Sequence, residues 1–258
     1  MPLVPKIVVH HLQFSRSSRI IWLLEELKLP YTVQMHYRSD GGFASSTLKQ
    51  ASRMGKSPTI VYDGEVMTES GSIVHQLMKL HPSPALQYPP STSSTFFSHY
   101  AEATLMLYLQ PARFAELGAR KLRAGAKPTL DLDPLKNDDE RRGMEKQLAW
   151  FTAWARSSVE PALAEADAFL ADNANFSGEE RLGEGDFMMM FPLNSIAYGG
   201  RKRLYDLGDA TVSWVDAIRN RPAWIKAQER MVEEEEGQKS PEQKAADAEK
   251  RPKQRPQV

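Results

Sequence analysis

Apolar positions along the first eighty residues change their period several times. Lys6 to Leu12 carries the apolar residues Ile7, Val8, Val9 and Leu12, and Ile20, Leu23, Leu24 and Leu27 then fall at helical spacing. From Tyr31 to Tyr37 the apolar residues Tyr31, Val33, Met35 and Tyr37 alternate with Thr32, Gln34 and His36. These periods predict a strand, an amphipathic helix ended by Pro30, and a half-buried second strand. Asp63-Gly64 separates Pro58 to Tyr62 from Glu65 to Thr68, the strongest short signal for a hairpin. A helix starting at Glu69-Ser70-Gly71 follows, so the order reads β-α-β and then β-β-α.

Strand signals stop at His81-Pro82-Ser83-Pro84 and Tyr88-Pro89-Pro90, and helical periodicity takes over. We read 1–82 as one domain, 83–90 as a linker and 91–236 as an all-helical domain. Helices are expected over about Thr95 to Leu122, with Ala101, Leu105, Tyr108 and Leu109 inward, and about Asp138 to Ser158, with Met144, Leu148, Phe151 and Ala155 inward. Pro161 starts a new helix or kinks a long one. Phe187 to Ala197 is apolar nearly all round, as suits the centre of a bundle. Two last helices are expected over about Thr211 to Asn220 and Ala223 to Glu235. The stretch 125–139 reads as irregular. From Glu233 onward no Val, Ile, Leu, Met or aromatic residue occurs before Val258. The segment 237–258 is therefore expected to be a charged, mobile tail, unless the last helix extends into it, because it has little apolar surface to offset the entropy of ordering.

Composition narrows the chemistry. At 258 residues and 41% hydrophobic content the chain suffices for two modest cores. Its 33 basic and 33 acidic residues balance, so the net charge argues for neither nucleic acid nor an anionic membrane surface. Cysteine is absent. That excludes disulfides, thiolate metal sites and a cysteine nucleophile, so any reactive thiol has to arrive with a ligand. No run approaches the roughly 18 apolar residues of a membrane span, and the start Met1-Pro2-Leu3-Val4-Pro5 lacks the apolar core of a signal peptide. A soluble, cytoplasmic protein is expected. His10, His11 and His36 fit no recognised metal motif, and Met188-Met189-Met190 reads as core packing.

His10-His11-Leu12, Ser15-Arg16-Ser17, the run Trp22 to Leu27, Pro30-Tyr31, Gly55-Lys56-Ser57-Pro58 and Glu69-Ser70-Gly71, taken in order, resemble the N-terminal domain of soluble glutathione transferases, closest to the yeast-type branch of fungi and bacteria. Leu182 to Leu193 and Arg221 to Trp224 resemble that family's helical domain, so the likeness spans roughly residues 5 to 230. It implies a thioredoxin-like α/β domain followed by an all-α bundle, glutathione as co-substrate without a metal, a small hydrophobic electrophile as second substrate, and a homodimer. Exposure of Met67, Ile73 and Leu77 is expected to give that dimer its apolar contact. Asp186 resembles the family's helix-capping aspartate, with Leu182 and Phe187 as its apolar staple. Gly183 departs from the pattern, standing where a serine or threonine normally caps.

The resemblance also assigns roles. A free thiol of pKa near 8.5 is only a few per cent ionised at neutral pH, so the site has to favour the thiolate. Ser15 lies after the first strand and before the helix, where a hydroxyl and a helix N-terminus can meet one sulfur, and it is the first candidate. Ser17 and Ser18 are alternates. Pro58 is implied to be cis, with Ser57 offering backbone groups to the cysteinyl part of glutathione and Lys56 its ammonium to the glycyl carboxylate. Ser70 and the N-terminus of its helix suit the γ-glutamyl carboxylate, and Glu69 the ammonium. Gln13, Phe14, Tyr100, Thr104 and Tyr108 are candidates to line the second pocket, near whose mouth 125–139 is expected.

Overall fold

The computed structural model describes residues 4–38, 44, 46–123, 137–199, 201–202 and 204–244. Strand β1 (Ile7–Leu12), helix α1 (Ser18–Leu27) and strand β2 (Thr32–His36) form a parallel β-α-β unit, with Val9 opposite Val33 and His11 opposite Met35. Strands β3 (Thr59–Tyr62) and β4 (Glu65–Thr68) pair across Asp63-Gly64, both with positive φ, and extend the sheet to the order β2-β1-β3-β4. A short helix α2 (Leu48–Ala51) precedes the hairpin, and α3 (Ser70–Leu80) closes the domain. Helix α1 buries Ile20, Ile21, Trp22, Leu23 and Leu24 completely. It ends one turn before Pro30, at Lys28 in the left-handed conformation, whose N–H returns to the Leu24 carbonyl.

Helices α4 (Thr92–Tyr100) and α5 (Leu107–Arg123) are one rod interrupted by a π-turn over Ala101–Met106. Helix α6 runs from Asp138 to Asp172 with Pro161 inside it, so of the two arrangements expected, a new helix or one long helix, the long one is found. Its first half is thinly covered, leaving Met144, Leu148 and Phe151 half-buried, whereas Ala155, Val159, Leu163 and Ala166 beyond them are buried. Helices α7 (Glu184–Ala197), α8 (Asp209–Arg219) and α9 (Pro222–Gln238) complete a thioredoxin-like domain joined to an all-helical one. Phe187, Met188, Met189 and Met190 are at most 1% exposed, so the methionine run is core.

One expectation is corrected. Ile73 and Leu77 are fully buried in the core, and Met67 is partly buried against it, because the inner face of α3 is already covered by α1 and α7. They supply no dimer surface. Helix α9 continues past 236 to Gln238, and 241–244 are helical as well. Gln238 pairs with the open edge of the sheet: its amide nitrogen donates to the Val33 carbonyl at 2.8 Å and its oxygen accepts from the Met35 N–H at 2.9 Å. Residues 124–136, which hold most of the 125–139 segment, and 245–258 lie outside the described residues.

The departure at Gly183 has a structural cause. A Cβ there would lie 2.5 Å from the Ser94 hydroxyl and 2.8 Å from the Gln87 side-chain oxygen. The hydroxyl that position 183 lacks comes from the neighbouring helix instead, because Ser94 accepts from the Gly185 N–H at 3.2 Å. Asp186 accepts from the N–H groups of Gly183, Phe176 and Ser177 at 2.8, 2.7 and 3.2 Å.

Candidate functional site

Strand β1 ends under a tight loop. Phe14 takes φ +49° and is 85% exposed, and the turn delivers Ser15 to the mouth of α1 at 8% exposure. The three serines crowded here differ in what they can reach. Ser17 is fully buried, and Ser18 donates to the Ser15 carbonyl at 3.2 Å as a local cap. Ser15 is the hydroxyl that lies beside the hairpin approach, 3.1 Å from the Ser57 hydroxyl. The Ser57–Pro58 peptide is cis. Lys56 is exposed and makes no ion pair among the described residues, so its ammonium is free for an anion.

Glu69 precedes α3 with φ +68°, a conformation that costs a non-glycine residue of order 1–3 kcal/mol, and it projects to the surface while Ser70 is 4% exposed. Behind Ser70 sits Arg19, 1% exposed, which donates to the Ser70 hydroxyl at 3.0 Å and to the Met188 carbonyl at 2.6 Å. A hydroxyl that already accepts from a guanidinium has its own proton free to point outward, as an anion requires. Glu102, carried on the π-turn, pairs with Arg19 at 2.5 Å and with Arg16. Burial raises the Glu102 carboxyl, but the two arginines overcome this and hold it below its ordinary value. Burial lowers Arg19 to about 10, with Glu102 opposing, so both stay charged at neutral pH.

The expected lining of the second pocket is only partly assembled. Phe14 stands open beside Ser15, and Thr104 and Tyr108 lie half-buried on the rod that carries Glu102. Tyr108 packs edge-on against Trp154 at 5.2 Å. Tyr100 is engaged elsewhere, its hydroxyl donating to the Ala162 carbonyl on α6 at 3.1 Å and its ring packing on Phe96 and Phe97. Gln13 is held by the end of α9, donating to Glu235 at 2.5 Å. Sequence reasoning gave Glu102 and His11 no part in the site. Glu102 is one acidic residue among many on a long helix, and only its placement on a π-turn facing two arginines distinguishes it. His11 left a weak trace, one of two adjacent histidines in a strand whose other residues are apolar.

Residues 9–85 match the family described as "Glutathione S-transferase, N-terminal domain". The match covers the thioredoxin-like part of the chain, which is thus similar to the N-terminal domain of that family. It is 38% identical over 119 residues to Glutathione S-transferase 3 of Schizosaccharomyces pombe, an alignment covering 43% of this chain and 47% of that protein. The chain thus spans about half the length of that relative. Glutathione S-transferase 1 of Saccharomyces cerevisiae is 23% identical over 241 residues, 88% of this chain and 96% of the yeast protein. Both of these relatives are yeast proteins. A theta class glutathione S-transferase from Xanthomonas axonopodis pv. citri, solved with glutathione bound, superposes with a TM-score of 0.60 at 21% identity, over 88% of this chain and 97% of that one. Among the described residues there is no cluster of His, Cys, Asp or Glu able to hold a metal ion, and no helix is long and apolar enough to cross a membrane.

Proposed function

We propose that this chain is a glutathione transferase that ionises the glutathione thiol at Ser15 and delivers the thiolate to a small hydrophobic electrophile. The observation that carries the reading is that Ser15 meets Ser57 where β1 and the approach to β3 come together, while Arg19, in the first turn of the helix that follows Ser15, meets Ser70 at the start of α3. A tripeptide with two carboxylates, an ammonium and a thiol meets there a free ammonium at Lys56, a hydroxyl primed by Arg19, an exposed carboxylate at Glu69, and a hydroxyl at a helix mouth. Lowering the thiol pKa by about two units takes roughly 2.7 kcal/mol, within reach of one hydrogen bond to a charged sulfur aided by the α1 N-terminus. Lys56 takes the glycyl carboxylate, the backbone of Ser57 ahead of Pro58 the cysteinyl unit, and Ser70 with Glu69 the γ-glutamyl end. Phe14, Thr104 and Tyr108 face the electrophile. Conjugation, peroxide reduction and ether cleavage all start from the same thiolate.

The same reading makes the protein a cytoplasmic homodimer, divided at 82 and 91. With Ile73 and Leu77 buried, the exposed apolar side chains available to an interface include Val66 on β4 and Phe96, Leu107, Trp150 and Trp154 on the helices. Thermal shift with glutathione and with an S-alkylated analogue, followed by a panel of electrophiles and hydroperoxides, tests the activity. Saturable stabilisation by both and turnover of at least one panel member are expected. No stabilisation at millimolar concentration would favour a regulatory protein on a transferase fold. Ser15→Ala is expected to raise the pKa of bound glutathione by about one to two units, roughly 1.4 to 2.7 kcal/mol, with little change in affinity. Light scattering near 29 kDa would refute the dimer.

A further inference from the structure

Ser15 is the outer end of a buried chain of hydroxyls. Its Oγ lies 2.7 Å from Ser17 Oγ, which lies 2.8 Å from Nδ1 of His11 on β1. Ser17 is 0% and His11 4% exposed, so neither touches a ligand in the cleft. Each hydroxyl has one proton and two lone pairs, and the buried Ser17 hydroxyl, bonded to Ser15 and His11 alone among the described residues, has to place its proton on one of them, so the two contacts run in one of two directions. If Nδ1 accepts, Ser17 donates inward to it and Ser15 donates inward to Ser17, and no proton is left for a thiolate. If Nδ1 carries the proton, it donates to Ser17, Ser17 donates to Ser15, and the Ser15 proton is free to point into the site. The N–H of Ser17, 3.3 Å from Ser15 Oγ, adds a second donor that favours the same polarity. In the absence of thiolate the Ser15 proton has the Ser57 hydroxyl at 3.1 Å to rest on.

Resting on the assignment of Ser15 above, we propose that His11 is a positioning residue for thiol activation: as the neutral Nδ1–H tautomer it orients Ser17 and, through it, aims the Ser15 hydroxyl at the glutathione sulfur. His11 acts as a fixed dipole and neither takes up nor releases a proton in the cycle. Its surroundings keep it neutral. Burial, and then His36 on β2, hold it down at about 4, and burial, and then His10, do the same for His36. His36 is the titratable group that acts on it, from the parallel neighbour strand, while His10 points to the other face of β1, where its Nδ1 lies 3.1 Å from His36 Nε2. His36 Nδ1 is in turn held by the Thr47 hydroxyl at 2.7 Å.

The test compares Ser15→Ala, Ser17→Ala, His11→Leu and His11→Asn by titrating the thiolate absorbance of bound glutathione and by kcat and KM across pH. An asparagine amide nitrogen falls near the position of Nδ1 and keeps the donor. Ser17→Ala and His11→Leu should each raise the thiol pKa by about one unit, lowering kcat about three- to ten-fold between pH 7 and 6, with KM for glutathione unchanged and the deficit vanishing in alkali. His11→Asn should recover most of the loss, and His11→Leu should add nothing in a Ser17→Ala background. A shift in Ser15→Ala without one in Ser17→Ala and His11→Leu would overturn the relay and leave the Ser15 reading standing. No shift in Ser15→Ala would remove the Ser15 reading itself. If the His11 variants fail to fold, the tautomer is read in the native protein from its imidazole ¹⁵N shifts, and a proton on Nε2 overturns the proposal.

Discussion

Three histidines without an acidic neighbour in their cluster sit under the first two strands, and their burial has a cost that depends on pH. His11 is held at about 4 when folded and returns to about 6.5 in the unfolded chain. Between those values the unfolded state binds the proton and the native state does not, so stability is full above pH 6.5 and falls as pH drops toward 4. The 2.5-unit gap corresponds to about 3 kcal/mol for this one residue. Urea midpoints are expected to decline steadily from pH 7 to 4.5, and His11→Leu to flatten part of that decline even if it loses stability at pH 7. A pH-independent midpoint would contradict the burial argument. At this scale the sequence was most legible where residue type restricts the choice. The resemblance pointed to Ser15, and the structure sets Ser17 and Ser18 apart from it by burial and by a local bond. The Ser17–His11 contact depends on a loop geometry that no spacing rule contains.

Single helices carry their own tests. The N-terminus of α7 borrows its hydroxyl from Ser94 because Gly183 leaves no room for one, so capping here is divided between two helices. Ser94→Ala is expected to cost about 1 kcal/mol, the usual worth of a lost cap. Gly183→Ser, although it restores the common capping residue, should destabilise by a similar or larger amount, since its Cβ would press on two buried polar side chains. Equilibrium unfolding of both variants checks the pair, and a stabilising Gly183→Ser would refute the steric explanation. Element order and type followed from hydrophobic period, but interruptions did not. Pro161 left a new helix and one long kinked helix both open, and α6 passes through it as one helix packed on α5 and α8. The π-turn at Ala101–Met106 left no mark, since widening a helix by one residue changes no apolar spacing on its buried face strongly enough to be read.

Across the whole molecule, α1 packs on α7 and α9 and α3 on α7, and two of the polar ties between the thioredoxin-like part and the helices differ in kind. One is charged: Glu102 reaches from the rod to Arg16 and Arg19, and among the described residues Arg19 has no other carboxylate partner. Glu102→Ala leaves a buried cation uncompensated and is expected to cost about 3 kcal/mol, measured by urea unfolding, with glutathione affinity falling because Arg19 also sets Ser70. The other is the end of α9, and it bears on the tail. The composition of 237–258 argues that a cut after Gly237 should leave folding unchanged. Gln238, however, lies one residue beyond that cut and pairs with both a donor and an acceptor on the open edge of β2, while Tyr37 donates to the Glu235 carbonyl at 2.8 Å and Gln13 holds the Glu235 side chain. An exposed strand edge that loses such a partner leaves its N–H and C=O to water or to another chain. Truncation after Gly237 is therefore expected to lower stability by about 1–2 kcal/mol, the worth of two hydrogen bonds, while truncation after Lys244 changes nothing. Gln238→Ala in the full chain should reproduce the longer truncation, because the effect belongs to one side chain rather than to the tail's length. Because the same turn of α9 grips Gln13 two residues before Ser15, the variant should also raise the pKa of bound glutathione. An unchanged melting temperature in both Gln238→Ala and the Gly237 truncation would show that the edge needs no cover.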